Sequence, residues 1–184
     1  MNFEDIEQEL VAATRGMMDG TLSTLGVVIG ATGAPPEVII AAGISGGLAN
    51  SFSNIFAAFT SYETELMIDI NSIKEAMLRK NMENTEVYEN GKHEVNKQSI
   101  ADGVATAFGA LVPVIPYFFF PSRLSVFIAV FLTSMLGLFV GLVMGKISRR
   151  SLIKSGIKMA ISAIVVGIIS ALVQSGLSSA LPKS

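Results

Sequence analysis

The sequence predicts an all-α polytopic membrane protein: five transmembrane helices, with a short cytoplasmic helical hairpin between helices 2 and 3. Three observations carry this. Of the 184 residues 51% are hydrophobic and 15% charged, with a mean hydropathy of +0.58, far to the apolar side of a soluble domain. The charges are bunched into Met1 to Arg15, Glu63 to Asp102 and Lys146 to Lys158, and the stretches between them carry almost none. The basic residues also fall in alternate loops. Cytoplasmic loops retain Lys and Arg, and an N-terminus inside places eleven of them on the cytoplasmic side against Arg123 and Lys183 outside. An odd number of spans then puts the C-terminus outside.

A hydrocarbon core about 30 Å thick takes roughly 20 apolar residues per helix. The spans read as Met17–Ala34, Val38–Thr60, Ile100–Phe120, Leu124–Gly145 and Ser155–Ala180. Residues 1–16 precede them as a cytoplasmic juxtamembrane helix, with Phe3, Ile6 and Leu10 on one side. Its acidic Glu4, Asp5, Glu7 and Glu9 are unlike the basic start of a secretory signal, so the first span is expected to stay in the mature protein.

Residues 17–61 hold the first two spans, joined by Gly33-Ala34-Pro35-Pro36, a turn short enough to force an antiparallel hairpin. Residues 62–98 form the acidic cytoplasmic hairpin. Leu66, Ile70, Ile73 and Met77 make a helical apolar seam there, and Asn90-Gly91 reads as its turn. Residues 99–184 hold the last three spans. Pro113 and Pro116 break or kink the third near its outer end. Gly137, Gly141 and Gly145 in the fourth, Gly26 and Gly30 in the first, and Gly43 and Gly47 in the second have the spacing that lets helices approach closely. Asp19-Gly20 with Gly26 and Asp102-Gly103 with Gly109 form a faint parallel repeat.

An ionisable residue inside a span costs a few kcal/mol and asks for a partner, a wet cavity or a function. Asp19 reads either as the cap of the first helix or as a cation contact, and Asp102 has the same two readings. Asn50 and Asn54, one turn apart, either bind a neighbouring helix or line a pathway. In the hairpin Glu63, Glu65, Asp69, Glu83 and Glu86 belong to a pool of oxygen donors that suits Fe²⁺ or Mn²⁺ better than Cu⁺, set against the reading of a merely solvated face. Cysteine is absent, which excludes disulfides and thiolate metal sites. The net charge of -2 gives no reason to expect nucleic acid. The single His93, with no Gly-x-Ser-x-Gly motif and no P-loop, offers no nucleophile–base pair, so an enzyme is not expected.

Several segments resemble the vacuolar iron transporter family. Met18-Asp19-Gly20-Thr21-Leu22-Ser23-Thr24-Leu25-Gly26 resembles the Asp-Gly opening of that family's first helix, and Ala42-Gly43-Ile44-Ser45 the start of its second. Phe108-Gly109-Ala110-Leu111-Val112-Pro113-Val114-Ile115-Pro116-Tyr117 follows its Gly-x-Leu-x-Pro-x-x-Pro-Tyr run. Arg149-Arg150-Ser151 with Ser155-Gly156-Ile157-Lys158-Met159 resembles its basic loop and last helix start. The resemblance implies a homodimer that exports Fe²⁺ or Mn²⁺ from the cytosol in exchange for protons, through a pathway at the subunit interface. It places the chain in a cell membrane or a vacuole-type membrane, with no prosthetic group, and gives Asp19 the role of intramembrane metal ligand. The Glu and Met that plant members carry on the second helix correspond here to Gly46 and Asn54. A second expectation, from a different class, is a non-transporting scaffold or metal-sensing subunit acting through the hairpin.

Overall fold

The computed structural model describes residues 3–77 and 85–180. Among them are five α-helices, α1 (Phe3–Gly30), α2 (Pro36–Met77), α3 (Glu86–Leu111), α4 (Ser122–Ile147) and α5 (Leu152–Ala180), with a 3-10 turn over Ile115–Phe118. By length and composition α2, α4 and α5 are long and apolar enough to cross a membrane.

α1 is the central helix. It touches all four others, α3 packs against both α1 and α2, and α4 pairs with α5. A core of Leu25, Val28 and Ile29 from α1, Ile39 from α2, Val114, Tyr117 and Ala129 closes one end. The outer surface is apolar: Phe52, Phe56, Phe127 and Ile153 are 62%, 71%, 74% and 69% exposed. Such a surface needs hydrocarbon around it, so the chain is a multi-pass membrane protein.

Local chemistry explains most boundaries. α1 stops at Gly30, Gly33 takes φ +117°, a conformation that only glycine adopts freely, and Pro36 opens α2 at the position where its missing N–H is harmless. Pro113 and Pro116 end α3 at Leu111 and tighten the following backbone into the 3-10 turn. At the other end, Thr85 caps α3 by accepting the Tyr88 backbone N–H at 3.4 Å.

Two expectations need correction. α1 runs unbroken from Phe3 to Gly30, so residues before the first span continue its helix instead of lying apart. Asn90-Gly91 is not a turn: both residues lie inside α3. Gly91 faces the end of the Leu66 side chain of α2, whose Cδ1 would stand 2.3 Å from a Cβ there, and α2 itself continues to Met77.

The glycine series sorts sharply. Ideal Cβ atoms on Gly137 and Gly141 would stand 2.8 Å from Met159 O and 2.5 Å from Ser155 O, so α4 and α5 pack backbone to backbone within one chain. Gly43 and Gly47 face Val114 and Ala110 beyond the third span's start, at 2.7 and 2.5 Å. Gly26 and Gly30 make no such contact: the first has only Ser170 Oγ at 3.5 Å and the second nothing within 4 Å.

Candidate metal site on helices 1 and 2

α1 and α3 cross so closely that their backbones touch. A Cβ on Gly16 would stand 2.1 Å from Asp102 O, one on Gly20 2.0 Å from Thr106 O, and one on Gly109 2.2 Å from Met17 O. This Gly16-x-x-x-Gly20 contact sets Asp19 beside α3 and turns its side chain toward α2. Along α1, Asp19 lies 11 residues from Gly30, about 16 Å at 1.5 Å per residue, just inside the start of the first expected span.

Asn50 and Asn54, on successive turns of α2, converge on it. Their Nδ2 groups donate to Asp19 Oδ2 at 2.8 and 2.9 Å. The same nitrogens donate onward, Asn50 to Ser23 Oγ at 3.0 Å and Asn54 to Thr106 Oγ1 at 3.0 Å. Thr106 in turn donates to Asp102 O at 2.8 Å. Each amide thus spends both N–H groups, while among the described residues no hydrogen bond falls on Oδ1 of Asp19, Asn50 or Asn54. Hard oxygen donors of this kind suit divalent first-row cations. Asp19 is exposed on the face of the single chain.

Asp102 is placed differently. It is fully buried, and its Oδ2 accepts from Arg15 Nε at 2.9 Å and from Arg15 Nη2. Its Oδ1 has no partner. The Arg15 guanidinium also lies over the Tyr62 ring of α2, 5.5 Å from its centroid, so this ion pair joins α1, α2 and α3. Arg15 has its charge spoken for by Asp102, which leaves Asp19, among the described residues, as a carboxylate without a cation.

Glu65 and Asp69 do share a space: with Glu7 and Glu94 they line a cleft of about 560 Å³ at the Met77 end of α2, beside Tyr62 and Gln98. Gln98 Nε2 donates to Gln8 Oε1 at 2.6 Å, and Lys97 pairs with Glu9 at 3.5 Å, fastening the start of α1 to α3. Glu63 and Glu86 are exposed and away from this cleft, and Glu83 lies outside the described residues. Among the described residues no three acidic or histidine side chains come together tightly enough to hold a metal.

Sequence reasoning missed Arg15, Gly16, Ser23 and Thr106 as parts of this region. The four-residue spacing of Gly16 and Gly20 was an available signal. Nothing local to Arg15 points to a partner 87 residues away.

The VIT family profile matches residues 10–89 and 64–177. The chain is also 40% identical over 118 residues to an uncharacterised protein of Methanocaldococcus jannaschii, a match covering 62% of each chain. With a profile match over most of its length, the chain belongs to the VIT family.

Proposed function

We propose that the protein exports a divalent cation, Fe²⁺ or Mn²⁺, from the cytosol by proton antiport. All five helices span the membrane in this reading, with the N-terminus and the acidic cleft cytoplasmic and the C-terminus outside, in a cell membrane or a vacuole-type membrane. The observation that carries it is the Asp19–Asn50–Asn54 cluster: a carboxylate and two amides gathered between α1 and α2, with three oxygens unspent. A charged aspartate facing lipid would cost about 3 kcal/mol. A second copy covering that face removes the cost, which supports a homodimer whose two Asp19 carboxylates neutralise one divalent ion.

The cleft of Glu7, Glu65, Asp69 and Glu94 concentrates cations at the cytoplasmic mouth, since a recess lined by one sign of charge focuses field. Glu63 and Glu86, exposed outside the cleft, add to that negative field without a fixed ligand role. The metal then passes to Asp19, and exchange of metal for protons at that carboxylate couples flux to the pH gradient as access alternates. Asp19→Asn in proteoliposomes tests this. Metal flux is expected to vanish while the protein still melts as wild type. Undiminished flux would remove Asp19 from the pathway, and absence of any flux in wild type would favour the scaffold or sensor reading.

A further inference from the structure

The charges of this chain are divided in an unusual way. All 15 Asp and Glu residues lie at or before Asp102, while seven of the 13 Lys and Arg residues lie beyond it. Five of these seven, Lys146, Arg149, Arg150, Lys154 and Lys158, sit at the corner where α4 ends and α5 begins, and all five are exposed. None forms an ion pair with any described residue, although Ile147 of the same corner reaches the acidic cleft. Topology asks for positive charge in a cytoplasmic loop, and this one carries five cations with no acidic residue anywhere beyond Asp102 to balance them.

The local backbone adds a second observation. α4 ends in a Schellman turn, with the Arg150 N–H donating to Gly145 O at 2.9 Å and the Arg149 N–H to Lys146 O at 3.3 Å. Arg149 occupies the left-handed position of that turn, φ 51°, where glycine is the usual residue. A long cationic side chain thus stands where the fold by itself would be better served by none. α5 then begins without an acidic residue in its first turn, so the positive end of its dipole and Lys154 repel each other unless an anion lies between them. Leu152, Ile153 and Ile157, 45%, 69% and 49% exposed, alternate with the cations, as side chains do where headgroups meet acyl chains.

We infer that the α4–α5 corner binds the phosphate headgroups of anionic phospholipids in the adjacent leaflet, with Arg149, Arg150, Lys154 and Lys158 as its contacts. Each cation near such a surface contributes a factor of roughly five to binding.

The test uses the full chain in neutral detergent, titrated with phosphatidylglycerol or phosphatidylcholine and read by native mass spectrometry. Wild type is expected to retain phosphatidylglycerol at least roughly ten-fold more tightly. Arg149→Gly is expected to melt at or above wild type, because the turn is relieved, yet to bind phosphatidylglycerol roughly five-fold more weakly. Lys154→Gln with Lys158→Gln, which leaves the turn untouched, is expected to lose roughly 25-fold. Equal retention of the two lipids by wild type would overturn the inference, as would unchanged affinity in the double variant. Displacement of the lipid by inorganic phosphate at constant ionic strength would overturn the lipid assignment.

Discussion

Gly20→Ala is expected to push α1 away from α3 and open the Asp19 cluster. An ideal Cβ there stands 2.0 Å from Thr106 O and 2.7 Å from Thr106 C, backbone atoms that no change of rotamer can move. Reaching an ordinary contact of about 3.5 Å requires a retreat of roughly 1.5 Å. The hydrogen bond that Thr21 Oγ1 of α1 donates to Gly109 O of α3, 3.0 Å long, does not survive a displacement of that size. Overpacking of this severity costs about 3 kcal/mol and the lost hydrogen bond about 1, against about 1 kcal/mol gained because Ala is the better helix former. The net loss, about 3 kcal/mol, lowers Tm by roughly 6–12 °C for a chain of this size. The assay is loss of helical circular dichroism on heating the full chain in detergent. Gly26→Ala and Gly30→Ala are the controls, with nothing nearer than 3.5 Å, and should melt at or slightly above wild type. If Gly20→Ala melts with those controls, the close crossing of α1 and α3 is wrong.

The Arg15–Asp102 pair should respond asymmetrically. Arg15→Gln leaves a carboxylate buried without its cation, whereas Asp102→Asn leaves a guanidinium whose side chain is 55% exposed and can turn to water. The first is therefore expected to lower Tm more than the second, and the reverse order would refute the burial of Asp102. Asn50→Ala with Asn54→Ala should retain the fold but weaken metal-dependent flux at least about ten-fold, since two charge-assisted hydrogen bonds orienting Asp19 are lost; unchanged flux would remove the amides from the site. Asn54→Met, which places a thioether beside Asp19, should shift competition toward softer divalent ions, read as inhibition of Mn²⁺ uptake by a metal panel. Collapsing an imposed pH gradient should abolish uphill uptake in proteoliposomes, and uptake indifferent to the gradient would refute proton coupling.

The helices were legible in the sequence because their causes are local. Apolar length located α2, α4 and α5, Pro36 and Gly33 marked one turn, and Pro113 with Pro116 marked the break after α3. Gly91 shows where local reading stops. Asn-Gly is a turn signal by its own propensity, yet here both residues lie within α3, on a face that packs against Leu66 of α2. The candidate site divides the same way. Asp19, Asn50 and Asn54 could be chosen as polar residues in apolar surroundings, and they converge on one carboxylate oxygen. Asp102 looked equivalent to Asp19 by motif, and the two differ only in what lies across the helix contact.

What the sequence by itself determined is therefore an apolar all-helical membrane chain, its family, and Asp19 as a candidate acidic residue near the start of the first span. Hydropathy, turn chemistry and motif order are properties of short segments, and they survive without coordinates. The tertiary structure alone decided that Asp102 is bound to Arg15, that Glu65 and Asp69 meet Glu7 and Glu94 in one cleft, and that Gly16 and Gly20 hold α1 against α3. Those outcomes depend on which faces meet between residues far apart in the chain, and no local periodicity records that.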